Sequence, residues 1–134
     1  MEKRYVERKQ VDHIEVSELT SLSSYNVIAS RGFIKEASIK GFLLIIKRPD
    51  ILNPELKNQL DLNVIVNQKV VLFLPQMNLD LDGTITRTKH VGKGEFELGI
   101  EFSADLPEYW RECLIDLLPK PGELDQEDSI VSSS

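Results

Sequence analysis

The chain is poor in the residue types on which most catalytic and metal sites depend. Its 134 residues include one cysteine and two histidines. A single cysteine, Cys113, excludes an internal disulfide, and two histidines without cysteine partners leave no spacing typical of a metal site. No Ser/His/Asp or Cys/His set has a recognisable motif. The sequence therefore predicts a metal-free protein that is not an enzyme and has no catalytic residues.

Long apolar runs are also missing. No stretch approaches the roughly 18 apolar residues that a membrane span needs, and the charged first four residues lack the apolar core of a signal peptide. We expect a cytoplasmic protein without membrane insertion. Its length and its 41% hydrophobic content suit one domain, which we place at residues 1–118. Residues 119–134 have few large apolar residues and are predicted to form an acidic, disordered tail.

Excess positive charge is lacking as well, since the net charge is -6. A general nucleic-acid binder needs a basic surface, and an oligonucleotide-binding barrel also needs an aromatic ladder, which the predicted strands do not have. The charge is unevenly distributed. Residues 1–48 carry nine basic and six acidic residues, whereas residues 49–134 carry seven and sixteen. A small anionic ligand is therefore compatible with the amino-terminal part, while a long polyanion is repelled by the rest.

For several potentially reactive side chains, a structural role explains their presence better than a catalytic or metal-binding role does. Cys113 falls on the apolar face of a predicted helix, so we interpret it as a small buried hydrophobe rather than a nucleophile. His13 flanks a strand and His90 lies beside a turn, where solvated side chains are usual. Asp80 and Asp82 share one face of a predicted strand, and a solvated outer face explains them better than a calcium site does.

Alternation of apolar and polar residues predicts β-strands through the middle of the chain. The clearest case is the series Phe96, Leu98, Ile100 and Phe102. Residues 79–85 have the same period, and the glycines within residues 90–94 predict an antiparallel hairpin between the two strands. Further strands are predicted at residues 14–19, 26–34, 41–46 and 70–74, the last two fully buried. About six strands are enough for a small barrel or sandwich.

Two helical segments are predicted. Asn53 followed by proline is typical of a helix start and predicts a short helical turn. In the second segment, Asp105 is a candidate cap and Glu108 can complete a capping box. That helix has one apolar face before Pro119 ends it, formed by Trp110, Cys113, Leu114, Leu117 and Leu118.

Two arginines near the amino terminus are candidate ligand-binding residues. Arg4 and Arg8 are four residues apart, so both can turn onto one ligand and offer paired donors to phosphate oxygens or to the O6 and N7 edge of a guanine. The alternative is a solvated basic terminus with surface ion pairs to Glu2 and Glu7.

A second short motif, residues 36–41, offers groups that suit a purine. The carboxylate of Glu36 can accept hydrogen bonds from the N1 and N2 donors of a guanine, Ser38 offers a hydroxyl, and Gly41 allows close backbone approach. Lys40 is a further candidate for a phosphate contact. The alternative is an ordinary bend between strands, with glycine chosen for its dihedral angles.

The order and spacing of these motifs resemble those of a PilZ domain: Arg-x-x-x-Arg, then acid-x-Ser-x-x-Gly about thirty residues later, then strands that end in Leu98-Gly-Ile-Glu-Phe102 and a helix. The resemblance covers residues 4–118. It implies an all-β fold, a six-stranded antiparallel barrel with a C-terminal helix packed against it. It also implies that the ligand is the bacterial second messenger cyclic di-GMP, with Arg4 and Arg8 on phosphate and guanine, and Glu36, Ser38 and Gly41 around the base.

One position departs from the family pattern, which has Asp or Asn where this chain has Glu36. The extra methylene displaces the carboxylate by about a bond length. Two hypotheses therefore stay open. In the first, cyclic di-GMP orders an amino-terminal arm, residues 1–10, and a partner protein recognises the changed surface. In the second, the domain is a protein-protein interaction module with weak or no cyclic di-GMP binding, which the long segment 49–69 also suggests.

Overall fold

The computed structural model describes residues 9–58 and 62–118, apart from the side chains of Asp12 and His13. Six strands are present: β1 (Lys9–Ser21), β2 (Val27–Ala37), β3 (Gly41–Lys47), β4 (Lys69–Leu74), β5 (Leu79–Gly92) and β6 (Glu95–Phe102). They close into a barrel in the order β1-β2-β3-β6-β5-β4, and each neighbouring pair is antiparallel. The predicted six-stranded antiparallel barrel is confirmed.

The barrel closes because β1 is long enough to pair on both sides. Most of β1 pairs with β2, and its carboxyl-terminal part also pairs with β4, where Ser21 lies opposite Val70. The predicted β5–β6 hairpin is present, and its turn uses three left-handed residues, Gly92, Lys93 and Gly94, with φ values of 96°, 56° and 73°. Glycine adopts such values without a steric cost, which explains the two glycines of this turn.

The barrel interior is filled by alternate residues of the strands, as the period of two predicts. On β6, Phe96, Leu98, Ile100 and Phe102 are all buried. All residues of β3 from Gly41 to Ile46 are buried, in agreement with the predicted fully buried strand. The same prediction is wrong for β4, because Val71 and Phe73 are only half-buried on its outer face.

The segment between β3 and β4 contributes to the core. It contains a short helix, α1 (Pro54–Lys57), and the side chain of Asn53 caps it by accepting a hydrogen bond from the Glu55 N–H at 2.9 Å, as predicted. Four apolar side chains of this segment are buried in the core cluster: Ile51, Leu56, Leu62 and Ile65. The Leu52 N–H donates to the Ile28 carbonyl at 3.0 Å, which holds the segment at the start of β2.

The second helix, α2 (Glu108–Leu117), begins later than predicted. Its N-cap is Pro107, which has an extended conformation and no capping side chain. The predicted capping box of Asp105 and Glu108 is therefore wrong. A proline disfavours helical dihedrals in the residue before it, so Leu106 does not join the helix and Asp105 remains in the preceding turn.

The apolar face of α2 is narrower than predicted. Leu114 and Leu118 are buried in the core cluster, and Trp110 packs against it while partly buried. Leu117 is 69% exposed and Cys113 is exposed, so the interpretation of Cys113 as a buried hydrophobe is wrong. Leu114 and Leu118 form the stripe of the helix that contacts the barrel, whereas Tyr109, Cys113 and Leu117 form an outward stripe that is exposed.

Lys9 and Gln10, which we assigned to the amino-terminal arm, belong to β1. The rest of the arm and the predicted tail, residues 119–134, lie outside the described residues, and both stay predictions. Among the residues that the structure describes, no helix has the length and apolar character to cross a membrane.

Candidate functional site

The turn between β2 and β3 brings Ser38, Lys40 and Gly41 together. The Ser38 N–H donates to the Gly41 carbonyl at 2.8 Å, and the Gly41 N–H donates to the Ser38 carbonyl at 3.2 Å. The Ser38 hydroxyl accepts a hydrogen bond from the Lys40 N–H at 3.2 Å. A hydroxyl has one donor and two acceptor positions, so Ser38 stabilises the turn through an acceptor position and its donor is not used in this bond.

Gly41 is required by the packing of β3 against β6. A Cβ atom at this position would lie 2.0 Å from the Ile100 carbonyl oxygen and 2.9 Å from the Cα of Glu101. Its φ angle is not left-handed, so the alternative that glycine was chosen for its dihedral angles is wrong. The close backbone approach that we expected at Gly41 is made to a neighbouring strand.

Glu36 lies on the outer face of β2, one residue before that strand ends. It is paired with Gln10 of β1, and the Gln10 side-chain amide donates to Glu36 Oε2 at 2.8 Å. The carboxylate is half-buried. It therefore lies beside the turn and next to the first residues of β1.

These residues line one open groove on the outside of the barrel, with a volume of about 150 Å³. Glu36, Ser38, Lys40 and Gly41 form its β2–β3 side. Across the groove lie residues of β5 and β6, which the sequence did not point to: Thr86, Arg87, Gly99, Ile100 and Glu101. The structure thus joins the second motif to a surface built by strands that are distant in the sequence.

Arg87 is the residue of this groove that sequence reasoning missed. The alternating series that ends at Ile85 would place residue 87 inside the barrel. A register shift between Ile85 and Arg87 adds one residue to β5 and turns Arg87 outward, where it is exposed. The signal that could have found it is the pair of polar residues, Thr86 and Arg87, which interrupts the apolar alternation and is typical of a bulge.

The charges of the groove cancel among the residues that the structure describes. Glu36 and Glu101 are balanced by Lys40 and Arg87. The groove therefore offers hydrogen-bonding groups but no net positive charge of its own. An anionic ligand would need further cations.

Arg4 and Arg8 lie outside the described residues, so their position stays a prediction. The chain that carries them joins β1 at Lys9, and Lys9 is paired with Ala37. Ala37 lies between Glu36 and Ser38, so the arm is attached to the barrel directly beside the motif.

Helix α2 is bonded to both the turn and the first residue of β1. Arg111 donates from Nη1 to the Ile39 carbonyl at 3.0 Å and from Nε to the Leu106 carbonyl at 3.1 Å. Lys9 donates from Nζ to the Ile115 carbonyl at 2.8 Å, near the carboxyl end of the helix, where a cation is favoured by the helix dipole. The helix therefore connects the β2–β3 turn to the first residue of β1.

Three other candidate residues, Asp80, Asp82 and His90, do not line the groove. Asp80 and Asp82 are exposed on β5, in agreement with the predicted solvated face. His90 is exposed as well, and its ring lies 5.0 Å from that of Phe96. Across residues 9–58 and 62–118, no group of three or more His, Cys, Asp or Glu side chains is arranged to hold a metal ion.

Comparison with solved structures shows that the barrel has the PilZ fold. The PilZ domain of YcgR from Escherichia coli, determined with c-di-GMP, is similar with a TM-score of 0.53 at 14% identity, and the match covers 99% of both chains. The MrkH–c-di-GMP complex of K. pneumonia is similar with a TM-score of 0.57 at 16% identity, covering 87% of this chain and 53% of MrkH.

The apo state of MrkH has a TM-score of 0.53 at 17% identity. This chain spans about half the length of the MrkH chains that it matches. No protein-family model matches the sequence, and no curated protein matches it. At these identities the likeness establishes the fold.

Proposed function

We propose that this PilZ-like domain is a cytoplasmic receptor for cyclic di-GMP and that it signals to a partner protein when its amino-terminal arm becomes ordered on the ligand. The observation that carries the proposal is the register of β1 and β2. It pairs Gln10 with Glu36 and Lys9 with Ala37, so the segment that contains the two arginines is joined to the barrel at Lys9, beside the acid-x-Ser-x-x-Gly turn. The two halves of the candidate site are thus attached to the barrel at one place.

In this proposal the two halves have different tasks. Glu36 accepts hydrogen bonds from the N1 and N2 donors of a guanine, and the Ser38 hydroxyl donates to the ligand. The groove charges cancel among the described residues, so Arg4 and Arg8 supply the positive charge that the phosphates need, with Lys40 as a further contact. The fold agrees with this, since two structures with this fold were determined with c-di-GMP.

Titration calorimetry with cyclic di-GMP tests the proposal. We expect saturable heat, and its stoichiometry will show whether one molecule or a stacked pair binds. Arg4→Ala and Arg8→Ala should each weaken binding by about tenfold or more, because each removes a charge-assisted bidentate contact worth about 1.5–3 kcal/mol. The thermal unfolding profile should be unchanged in both variants.

Arg31→Ala is the matched control. Arg31 is an exposed arginine on the barrel, in an ion pair with Glu15 at 3.7 Å, and it does not line the groove. Its loss changes the net charge equally, so its affinity should stay at the wild-type value. Cyclic di-AMP is the ligand control, because adenine has no N1 or N2 donor to offer Glu36. Absence of heat with cyclic di-GMP at high micromolar concentration would overturn the proposal.

The second candidate function is an adaptor that binds a protein partner without needing the nucleotide. The observation that favours it is the outward stripe of α2, where Tyr109 is 70% and Leu117 is 69% exposed. A pull-down from bacterial lysate, with and without cyclic di-GMP, distinguishes the two functions. Equal recovery of the same partners in both samples favours the adaptor, whereas recovery that depends on the nucleotide favours the receptor.

A further inference from the structure

A row of outward positions crosses the sheet from Glu36 to Arg87. Glu36 is paired with Leu43, Leu43 with Gly99, and Gly99 with Arg87. Neighbouring strands lie about 4.8 Å apart, so the row extends over about 14 Å. Charged side chains stand at its two ends, and its middle is the side chain of Leu43 and the bare backbone of Gly99. Leu43 and Gly99 therefore form the floor of the groove, which separates the carboxylate of Glu36 from the guanidinium of Arg87.

The side chain of Arg87 lies across this floor. A Cβ atom added at Gly99 would lie 2.9 Å from Arg87 Cγ and 3.0 Å from Arg87 Nε. Arg87 therefore occupies the space that a larger residue at position 99 would take. It lines the same groove as Glu36 and Ser38. Its position results from two features together, the bulge in β5 and the glycine in β6.

The guanidinium of Arg87 makes no internal bond in the part of the chain that the structure describes: hydrogen bonds and ion pairs of the barrel surface involve other side chains, such as Lys35 with Glu97 and Arg31 with Glu15. Its planar group carries five donors. An exposed arginine that lies along a groove without an internal partner has all five donors available for a ligand.

We propose that Arg87 is a further ligand-binding residue, whose guanidinium covers the outer face of a purine ring that lies on the Leu43 part of the floor. The inference rests on the proposed function, since it concerns the same ligand and the same groove. A guanine whose N1 and N2 edge meets Glu36 lies over Leu43. The exposed side chain of Arg87, which starts from beside Gly99, turns up and places its guanidinium over the outer face of the ring. Guanidinium groups stack on aromatic faces, and a lysine ammonium cannot reproduce this planar contact.

Four variants titrated with cyclic di-GMP in the calorimeter test the inference. Arg87→Ala should bind about tenfold more weakly, and Arg87→Lys should stay within about threefold of Arg87→Ala because charge alone does not restore the stacking. Gly99→Ala keeps the arginine but displaces its flexible side chain from the floor, so it should bind at least about threefold more weakly. Arg31→Ala, with the same loss of charge outside the groove, should bind as the wild type does.

Each result has a defined meaning. Thermal unfolding of Arg87→Ala should match the wild type, because Arg87 is exposed and makes no internal bond among the described residues. If the wild type binds and Arg87→Ala binds equally well, the inference is overturned and the proposed function stands. If Arg87→Lys restores full affinity, the contact is one of charge and the stacking is refuted. If the wild type gives no heat, the proposed function fails and this inference fails with it.

Discussion

At the scale of single residues, the proposed contact between Glu36 and a guanine makes the affinity sensitive to the length of the Glu36 side chain. The PilZ pattern has Asp or Asn at this position, and the extra methylene moves the carboxylate outward by about a bond length. We expect Glu36→Asp to bind cyclic di-GMP several-fold more tightly. A buried donor that lacks a partner costs about 1–3 kcal/mol, and a shorter side chain improves the alignment with the N1 and N2 donors. Titration calorimetry measures the difference.

Glu15→Asp is the control for this change, because Glu15 is an exposed acid on the barrel outside the groove. It should leave the affinity unchanged. A weaker complex for Glu36→Asp would contradict the prediction. It would mean instead that the Gln10 side chain, bonded to Glu36 Oε2 at 2.8 Å, holds the longer side chain in the binding position.

The residues of the candidate site were predictable where they are close together in the sequence. Glu36, Ser38, Lys40 and Gly41 belong to one motif, and one turn brings them to one groove. Arg87 was not predictable, because its outward direction depends on a bulge and its place beside Gly99 depends on the β5–β6 register. Shifting the side-chain period by one residue exchanges the two faces of a strand, and periodicity alone does not show such a shift.

At the scale of elements, Arg111 connects α2 to the turn that carries the motif. Its two hydrogen bonds, to the carbonyls of Ile39 and Leu106, join the helix start to the tip of the β2–β3 turn. We expect Arg111→Ala to lower the free energy of unfolding by about 1.5–3 kcal/mol, the contribution of hydrogen bonds to a charged group. It should also weaken cyclic di-GMP binding, because Ser38 and Gly41 lose their support.

Hydrogen–deuterium exchange measures this loss of support directly. In Arg111→Ala, the amides of residues 38–41 should exchange faster than in the wild type, while those of β6 keep their protection. Glu112→Ala is the matched control, since Glu112 is the exposed neighbour on the same helix and should change neither exchange nor affinity. Unchanged exchange in the turn of Arg111→Ala would show that the turn is stable without the helix.

The boundaries of α2 show where a local pattern misleads. Asp105 and Glu108 have the spacing of a capping box, but Pro107 stands between them and the helix begins after it. The apolar face was also predicted too wide, since Leu114 and Leu118 contact the core while Cys113 and Leu117 do not. Periodicity shows which residues share a face, but the width of the contact depends on the barrel surface that the helix meets.

At the scale of the whole molecule, the barrel was predictable because each strand carries its own signal of period two or of continuous burial. Closure was not predictable. It depends on β1 pairing with both β2 and β4, and these contacts join residues that are distant in the sequence. The role of segment 49–69 was likewise not predictable from the sequence. Because its apolar side chains are buried in the core cluster, its presence is explained by packing and no longer favours an adaptor.

The burial of this segment predicts that a substitution there lowers the free energy of unfolding without changing the affinity for cyclic di-GMP. Ile51 is fully buried, and its neighbour Leu52 is 53% exposed. Ile51→Ala should lower the free energy of unfolding by about 2–5 kcal/mol, because it removes buried methyl groups and leaves a cavity. Leu52→Ala should cost less than about 1 kcal/mol, and urea unfolding measures both. The segment lies at the start of β2 and the groove at its end, so folded Ile51→Ala should bind cyclic di-GMP as the wild type does. A large loss of affinity in the folded variant would show instead that the segment contributes to the binding site.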